Sequence, residues 1–213
     1  MESYEPVPYW LERGKVYKDC FRYNKNFRLQ EEFLLEYLHT LSPPFSSVFE
    51  AGCGFGRITK LILSNFESIR EYTAVDLSPD QVRNAMEYVR PSVIGKSIDL
   101  KFMVSDIQSI KADRKYDLVI ASEMLMHVLP NEIAQVMNKL VSLSNSDVVN
   151  IDYYDDRTSN PKLAPHNFLH QYEKIYCEIP SILAVKRIPI VRKGLLKTDI
   201  KQSIFHAKLR HNS

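Results

Sequence analysis

Three glycines within five residues, placed after a short apolar run that ends on an acid, constrain this chain more than any other stretch. The segment Ser47-Val48-Phe49-Glu50-Ala51-Gly52-Cys53-Gly54-Phe55-Gly56-Arg57 reads as a buried strand that closes on a carboxylate and turns through glycines into a helix. Glycine lets the main chain take positive φ and lets a ligand lie against it, and the helix that follows begins with unpaired N–H donors. Such a loop suits a nucleotide-like ligand. A dinucleotide site would show G-x-G-x-x-G facing a pyrophosphate. Here the spacing is G-x-G-x-G followed by Arg57, and Glu50 would repel a pyrophosphate while accepting hydrogen bonds from an ammonium group. A nicotinamide or flavin cofactor is the weaker reading.

The following strands end on polar groups at regular places. A helix carries Ile58, Leu61, Ile62 and Phe66, and Tyr72-Thr73-Ala74-Val75-Asp76 then reads as a second strand. Asp76 lies 20 residues beyond Gly56, the spacing at which an acid meets a ribose diol. Ser78, Pro79, Asp80 and Gln81 form a capping box with proline at the first helical position. Ile98 to Val104 reads as a third strand followed by Ser105, Asp106 and Ile107, and Tyr116 to Ala121 as a fourth that runs into Ser122 and Glu123. Pro130 opens a helix with Ile133, Val136, Met137, Leu140 and Val141 on one face, and Asp147 to Ile151 is a fifth strand. Beyond a polar loop at 155–165, Phe168 to Tyr176 reads as a helix, and β-rich runs near 182–191 and 200–209 suggest a closing antiparallel pair. The alternation over 46–151 argues a parallel sheet covered on both faces, with a ligand beyond the carboxyl ends of its strands.

The run from Glu50 to Gly56 resembles motif I of the class I (Rossmann-like) S-adenosylmethionine-dependent methyltransferases, hydrophobics followed by (E/D)-x-G-x-G-x-G, at every position. The resemblance implies an α/β fold with a doubly wound, mostly parallel seven-stranded sheet, helices on both faces and a C-terminal antiparallel strand pair. It implies S-adenosylmethionine as cofactor, held by Glu50, Ala51, Gly52, Cys53, Gly54, Gly56, Asp76, Leu77, Ser105, Asp106, Ile107 and Ser122. In the family's plan Asp106 matches the residue that accepts from the adenine amino group, and 122–128 matches motif IV at the methionine end. Taken singly, Asp76 and Asp106 are also what a turn at a strand end favours. Cys53 reads as a small filler between glycines.

In-line transfer of an activated methyl needs few catalytic groups, though a base helps when the acceptor is a hydroxyl or a protonated amine. Candidates are His127, His166, His170 and Tyr154, with Asp152 and Tyr153 beside it. His127 reads more readily as structural. His166 and His170, four apart, share a face if the helix starts early enough, and they line the acceptor pocket or cap the helix; without a third ligand they do not make a metal site. No metal is expected. An Asn/Asp-Pro-Pro-Tyr sequence after strand four is replaced by Ala121-Ser122-Glu123-Met124, which argues against exocyclic base amines as acceptors. Glu123 and Glu132 resemble the double-glutamate loop of arginine methyltransferases only in spacing, because Glu132 falls in an expected first helical turn where acids are favoured.

With 213 residues and 45% hydrophobic content, one domain is expected over 1–213, with 1–45 as an N-terminal helical cover. In that cover Leu29, Phe33, Leu34, Tyr37, Leu38 and Leu41 form a helical stripe, preceded by Tyr9, Trp10, Arg13 and Tyr17, which either cover the active site or pack on the sheet edge. Three scattered cysteines fit a reducing compartment, and with no long apolar run the expected location is cytoplasmic, without a membrane partner. The oligomeric state is left open. The expected function is methyl transfer to oxygen or nitrogen of a small molecule. A basic C-terminal set (Lys186, Arg187, Arg192, Lys193, Lys197, Lys201, Lys208, Arg210) keeps RNA or protein open as the substrate, and a non-catalytic cofactor-binding subunit is the third reading.

Overall fold

The computed structural model describes residues 4–21, 24–42, 44–111, 114–155, 162–191 and 200–210. Two helices, α1 (Pro6–Phe21) and α2 (Lys25–Leu38), precede β1 (Ser47–Ala51), α3 (Arg57–Asn65), β2 (Glu71–Asp76), α4 (Pro79–Val89), β3 (Asp99–Val104) and β4 (Tyr116–Ser122). There follow α5 (Ile133–Ser142), β5 (Ser144–Asp155), β6 (Lys162–Ala164), β7 (Asn167–Phe168), α6 (Tyr172–Cys177), β8 (Ile182–Pro189) and β9 (Ile200–Leu209). The main sheet runs β3-β2-β1-β4-β5-β9-β8, parallel through β5, with β9 antiparallel between β5 and β8. This is the doubly wound seven-stranded arrangement with a closing antiparallel pair.

Period-two side chains explain why both faces are covered. Val48, Leu118, Ile120, Val149 and Ile204 point to the face packed by Leu34 and Leu38 of α2, Ile58 and Ile62 of α3, and Ala85 and Val89 of α4. Their neighbours Phe49, Val119, Ala121, Val148 and Phe205 meet Val136, Met137 and Leu140 of α5 and the fully buried Tyr172 and Tyr176 of α6. A glycine joins the N-terminal helix to this frame: a Cβ on Gly14 of α1 would lie 2.1 Å from Ser78 Oγ at the N-cap of α4. Gly14→Ala is therefore expected to pry α1 from α4, costing about 2 kcal/mol by overpacking. A melting-temperature fall of roughly 5 °C and faster proteolysis within α1 would register it; an unchanged melt and digest would not fit this packing.

Three local expectations are corrected. Residues 166–170 are not helical: Pro165 biases Ala164 to extended backbone, Asn167–Phe168 pairs back on Lys162–Ala164, and helix resumes only at Tyr172. His166 and His170 therefore share no helix face. The helix expected at Pro130 begins at Ile133, because 130–132 form a turn, which leaves Glu132 at the N-cap rather than in the first turn. Leu41 lies beyond the end of α2. Part of the polar loop (156–161) and Arg192, Lys193 and Lys197 of the basic set lie outside the described residues. Among the described residues no helix is long and apolar enough to cross a membrane.

Candidate active site

Register brings the carboxyl ends of four strands level. Ala51 pairs with Val75 and Ala121, Asp76 with Val104, and Ser122 with Ile151. Chain order reverses at β1, between β2 and β4, where ligands of open α/β sheets bind. Gly52, Gly54 and Gly56 carry φ of +69°, +54° and +87°. A Cβ on Gly52 would meet Met124 Cγ at 2.5 Å and one on Gly56 would meet Val89 Cγ2 at 2.8 Å, whereas Gly54 faces open space, its nearest neighbour being Gln81 Nε2 at 3.8 Å. Gly52 and Gly54 both front the cavity, and Gly54 is the one at which a side chain would project into open space.

Glu50 sits beneath this bend, 2% exposed. Thr59 Oγ1 (2.5 Å) and Tyr72 OH (2.7 Å) both donate to its Oε2. Burial pushes its carboxyl up to about 7, against those hydrogen bonds and the nearby Arg57. Asp76 is fastened by backbone donors, Gly54 N to Oδ2 (2.8 Å) and Ser78 N to Oδ1 (2.9 Å), while burial raises its carboxyl. The acid of β2 thus holds the glycine loop in place. Asp106 caps a short 3-10 turn by accepting from Gln108 N (2.9 Å). Cys53 is buried with its thiol pushed up by burial, an inert filler.

Two cavities share this wall. The larger, about 320 Å³, is lined by Gly52, Gly54, Asp76, Leu77, Ser105, Asp106, Ile107 and Ser122 of the expected set, and by Trp10 and Tyr17 of α1. The smaller is lined by Glu50, Gly52, Cys53, Gly54, Arg57 and Glu123. Ala51 is fully buried in the core and Gly56 abuts α4, so both stand behind the wall. Arg57, which sequence reasoning used only to reject a dinucleotide, is held by Glu31 (3.2 Å), Ser122 Oγ (3.2 Å) and Gln30 Oε1, and lies over the Phe27 ring. Gln81, in the first turn of α4, was read only as part of the capping box; Ser78 N donates to Asp76 instead, and the buried Gln81 Oε1 has no hydrogen-bond partner among the described residues.

Of the four proton-transfer candidates only His127 lines the larger cavity. Its Nδ1 is 2.9 Å from the His166 carbonyl, an acceptor only, so that nitrogen carries the proton; burial holds its pKa down at about 4. Trp10 packs on the ring at 4.5 Å. His166 stacks on Tyr9 at 4.8 Å. His170 is buried with Nε2 3.0 Å from the Val128 carbonyl, and burial brings it down to about 4. Tyr154 packs under Arg187 and beside Phe205. Asp152 accepts from Met126 N and Asn150 Nδ2, pinning the turn that carries His127. No group of three or more His, Cys, Asp or Glu among the described residues converges on a metal position.

Residues 48–147 match the family model described as a methyltransferase domain. The malonyl-[acyl-carrier protein] O-methyltransferase of Acetivibrio thermocellus is 30% identical over 132 residues, 62% of this chain and 44% of that protein, so the chain spans under half the length of this relative. Among solved structures, magnesium protoporphyrin IX methyltransferase from Synechocystis PCC 6803 with bound S-adenosylmethionine superposes with a TM-score of 0.74 at 16% identity, covering 99% of this chain and all of that one. The N-methyltransferase NodS from Bradyrhizobium japonicum, in complex with S-adenosylhomocysteine, gives 0.70 at 15% identity over 96% and 99%. At these identities the two structures speak for the fold.

Proposed function

Because the chain belongs to the class I S-adenosylmethionine-dependent methyltransferase family, we propose that it is an enzyme that transfers a methyl group from S-adenosylmethionine to oxygen or nitrogen of a small molecule. The observation that carries this reading is the buried Glu50 carboxylate under a bend whose middle glycine faces open space. The residues present fit the cofactor. Glu50 would take the ammonium of the methionyl tail, with Arg57 on the same crevice for its carboxylate. Asp76, level with the glycine loop, would meet the ribose, and Asp106 the adenine amine. When bound, the cofactor supplies an activated methyl on a sulfonium. The chain's own part is to position the acceptor and exclude water, for which α1 brings Trp10 and Tyr17 over the cavity.

Three residues of the basic set are engaged within the fold, which favours a small acceptor over RNA. Lys208 pairs with Asp147 (2.9 Å), Lys186 lies over the Tyr37 ring, and Arg187 is engaged by Tyr154 and Glu173. A reducing, cytoplasmic location is supported by three free cysteines, two of them exposed. Calorimetric titration with S-adenosylmethionine and S-adenosylhomocysteine tests the reading: saturable binding is expected, and none at millimolar ligand would refute it.

The Glu50 carboxyl also sets a pH dependence. An ammonium binds the ionised form, and the free carboxyl titrates at about 7. Cofactor affinity is therefore expected to be flat above that value and to fall by about tenfold per pH unit below it, with proton release on binding. Calorimetry at pH 5.5 to 8.5 measures the slope, which should vanish in Glu50→Gln; an equal slope in both proteins would contradict the assignment.

A further inference from the structure

Glu123 is the one non-glycine residue among those described with positive φ, +53°. That backbone region disfavours any side chain and suits glycine, yet the position carries a carboxylate. Its N–H donates to the Ile151 carbonyl at 2.7 Å, which locks the kink directly after β4. The kink puts the carboxyl on the wall common to both cavities. Gln202 Nε2 donates to its Oε1 at 2.8 Å. Tyr17 of α1, Gln30 of α2, Arg57 of α3, and Asp152 and Tyr153 of β5 face it. Arg57, the cation among these, is already held by Glu31 and Ser122.

The larger cavity has a matching charge pattern. Asp76, Asp106, Glu123 and Glu132 line it, and no lysine or arginine is among the described lining residues. Gln81, Ser105, Ser122 and His127 are its neutral polar lining, and Val7, Trp10, Tyr17, Met124 and Val128 supply aromatic and apolar surface. With Asp76 and Asp106 taken by the cofactor, an acceptor carboxylate would meet the acids Glu123 and Glu132 and no lysine or arginine among the described lining residues. A cation on an apolar stem finds both a carboxylate and aromatic rings.

The geometry points to Glu123 as the acceptor-binding residue and to a protonated amine on an apolar or aromatic stem as the acceptor class, an inference that rests on the cofactor reading above. The ammonium docks on the Glu123 carboxylate and gives it one proton. The freed nitrogen lone pair forms the N–C bond as the methyl–sulfur bond breaks and its electrons return to sulfur, and the proton on Glu123 then leaves to solvent. Burial raises the Glu123 carboxyl above the ordinary glutamate range, which suits it to hold that proton in passing.

The test uses the full chain saturated with S-adenosylhomocysteine, its binding to each protein established first by calorimetry, and two probes of similar shape and opposite charge, benzylammonium and phenylacetate. Wild type is expected to prefer benzylammonium by at least about tenfold. Glu123→Gln and Glu123→Gly should both lose that preference, and Glu123→Gly should melt no lower than wild type because its φ suits glycine. Equal binding of the two probes to wild type, a preference kept in the variants, or loss of fold in both variants would overturn the inference. Failure of S-adenosylhomocysteine to bind wild type would instead bring down the cofactor reading, and this inference with it.

Discussion

Glu50→Gln is expected to weaken S-adenosylmethionine binding by on the order of a hundredfold while leaving the protein folded. A charge-assisted hydrogen bond between a desolvated carboxylate and an ammonium contributes about 3 kcal/mol, and each 1.4 kcal/mol is a factor of ten. Glutamine is the informative replacement because its amide oxygen still accepts from Thr59 and Tyr72, which both donate to Oε2 in the native site. Alanine would orphan those two buried hydroxyls and confound binding with stability. Calorimetry on the variant, with its melt as control, gives the answer. Retained affinity would mean that the ammonium is held elsewhere.

The second large effect separates two glycines of one loop. Gly54→Ala places a methyl in open space, 3.8 Å from Gln81 Nε2, so its stability cost is that of a left-handed alanine, about 1 kcal/mol. The same methyl stands where the cofactor must approach the backbone, and affinity should fall by roughly a hundredfold. Gly56→Ala meets Val89 Cγ2 at 2.8 Å and the Ala85 Cα at 3.1 Å, with φ at +87°. Overpacking and strain there should cost about 3 kcal/mol, a melting-temperature fall of roughly 10 °C. Melts and titrations on both variants should show opposite rankings. Parallel losses would mean that both glycines serve packing alone.

What could be read from the chain was what is local in it. The glycine loop, the acids closing successive strands and the period-two apolar runs are each contained in a few residues, and they fix the order of strands and the level at which a ligand meets them. The misreadings fall where pairing is distant. His166 and His170 look helical by spacing, but the pairing of 167–168 with 162–164 takes that segment out of the helix. Tyr154, on a β5 longer than expected, packs against Phe205 of β9, about fifty residues away in sequence. Arg57 becomes part of the site only because α2 supplies Gln30 and Glu31 from a segment that sequence reading treated as cover. The left-handed backbone at Glu123 has no signature in residue type at all.

The most direct measurement is a cycle between Glu50 and the ammonium itself: wild type and Glu50→Gln, each titrated with S-adenosylhomocysteine and with its analogue lacking the amino group. The expected result is that wild type binds the analogue about a hundredfold more weakly while the variant binds both ligands alike. Equal affinity of wild type for the two ligands would contradict the pairing of Glu50 with the methionyl ammonium.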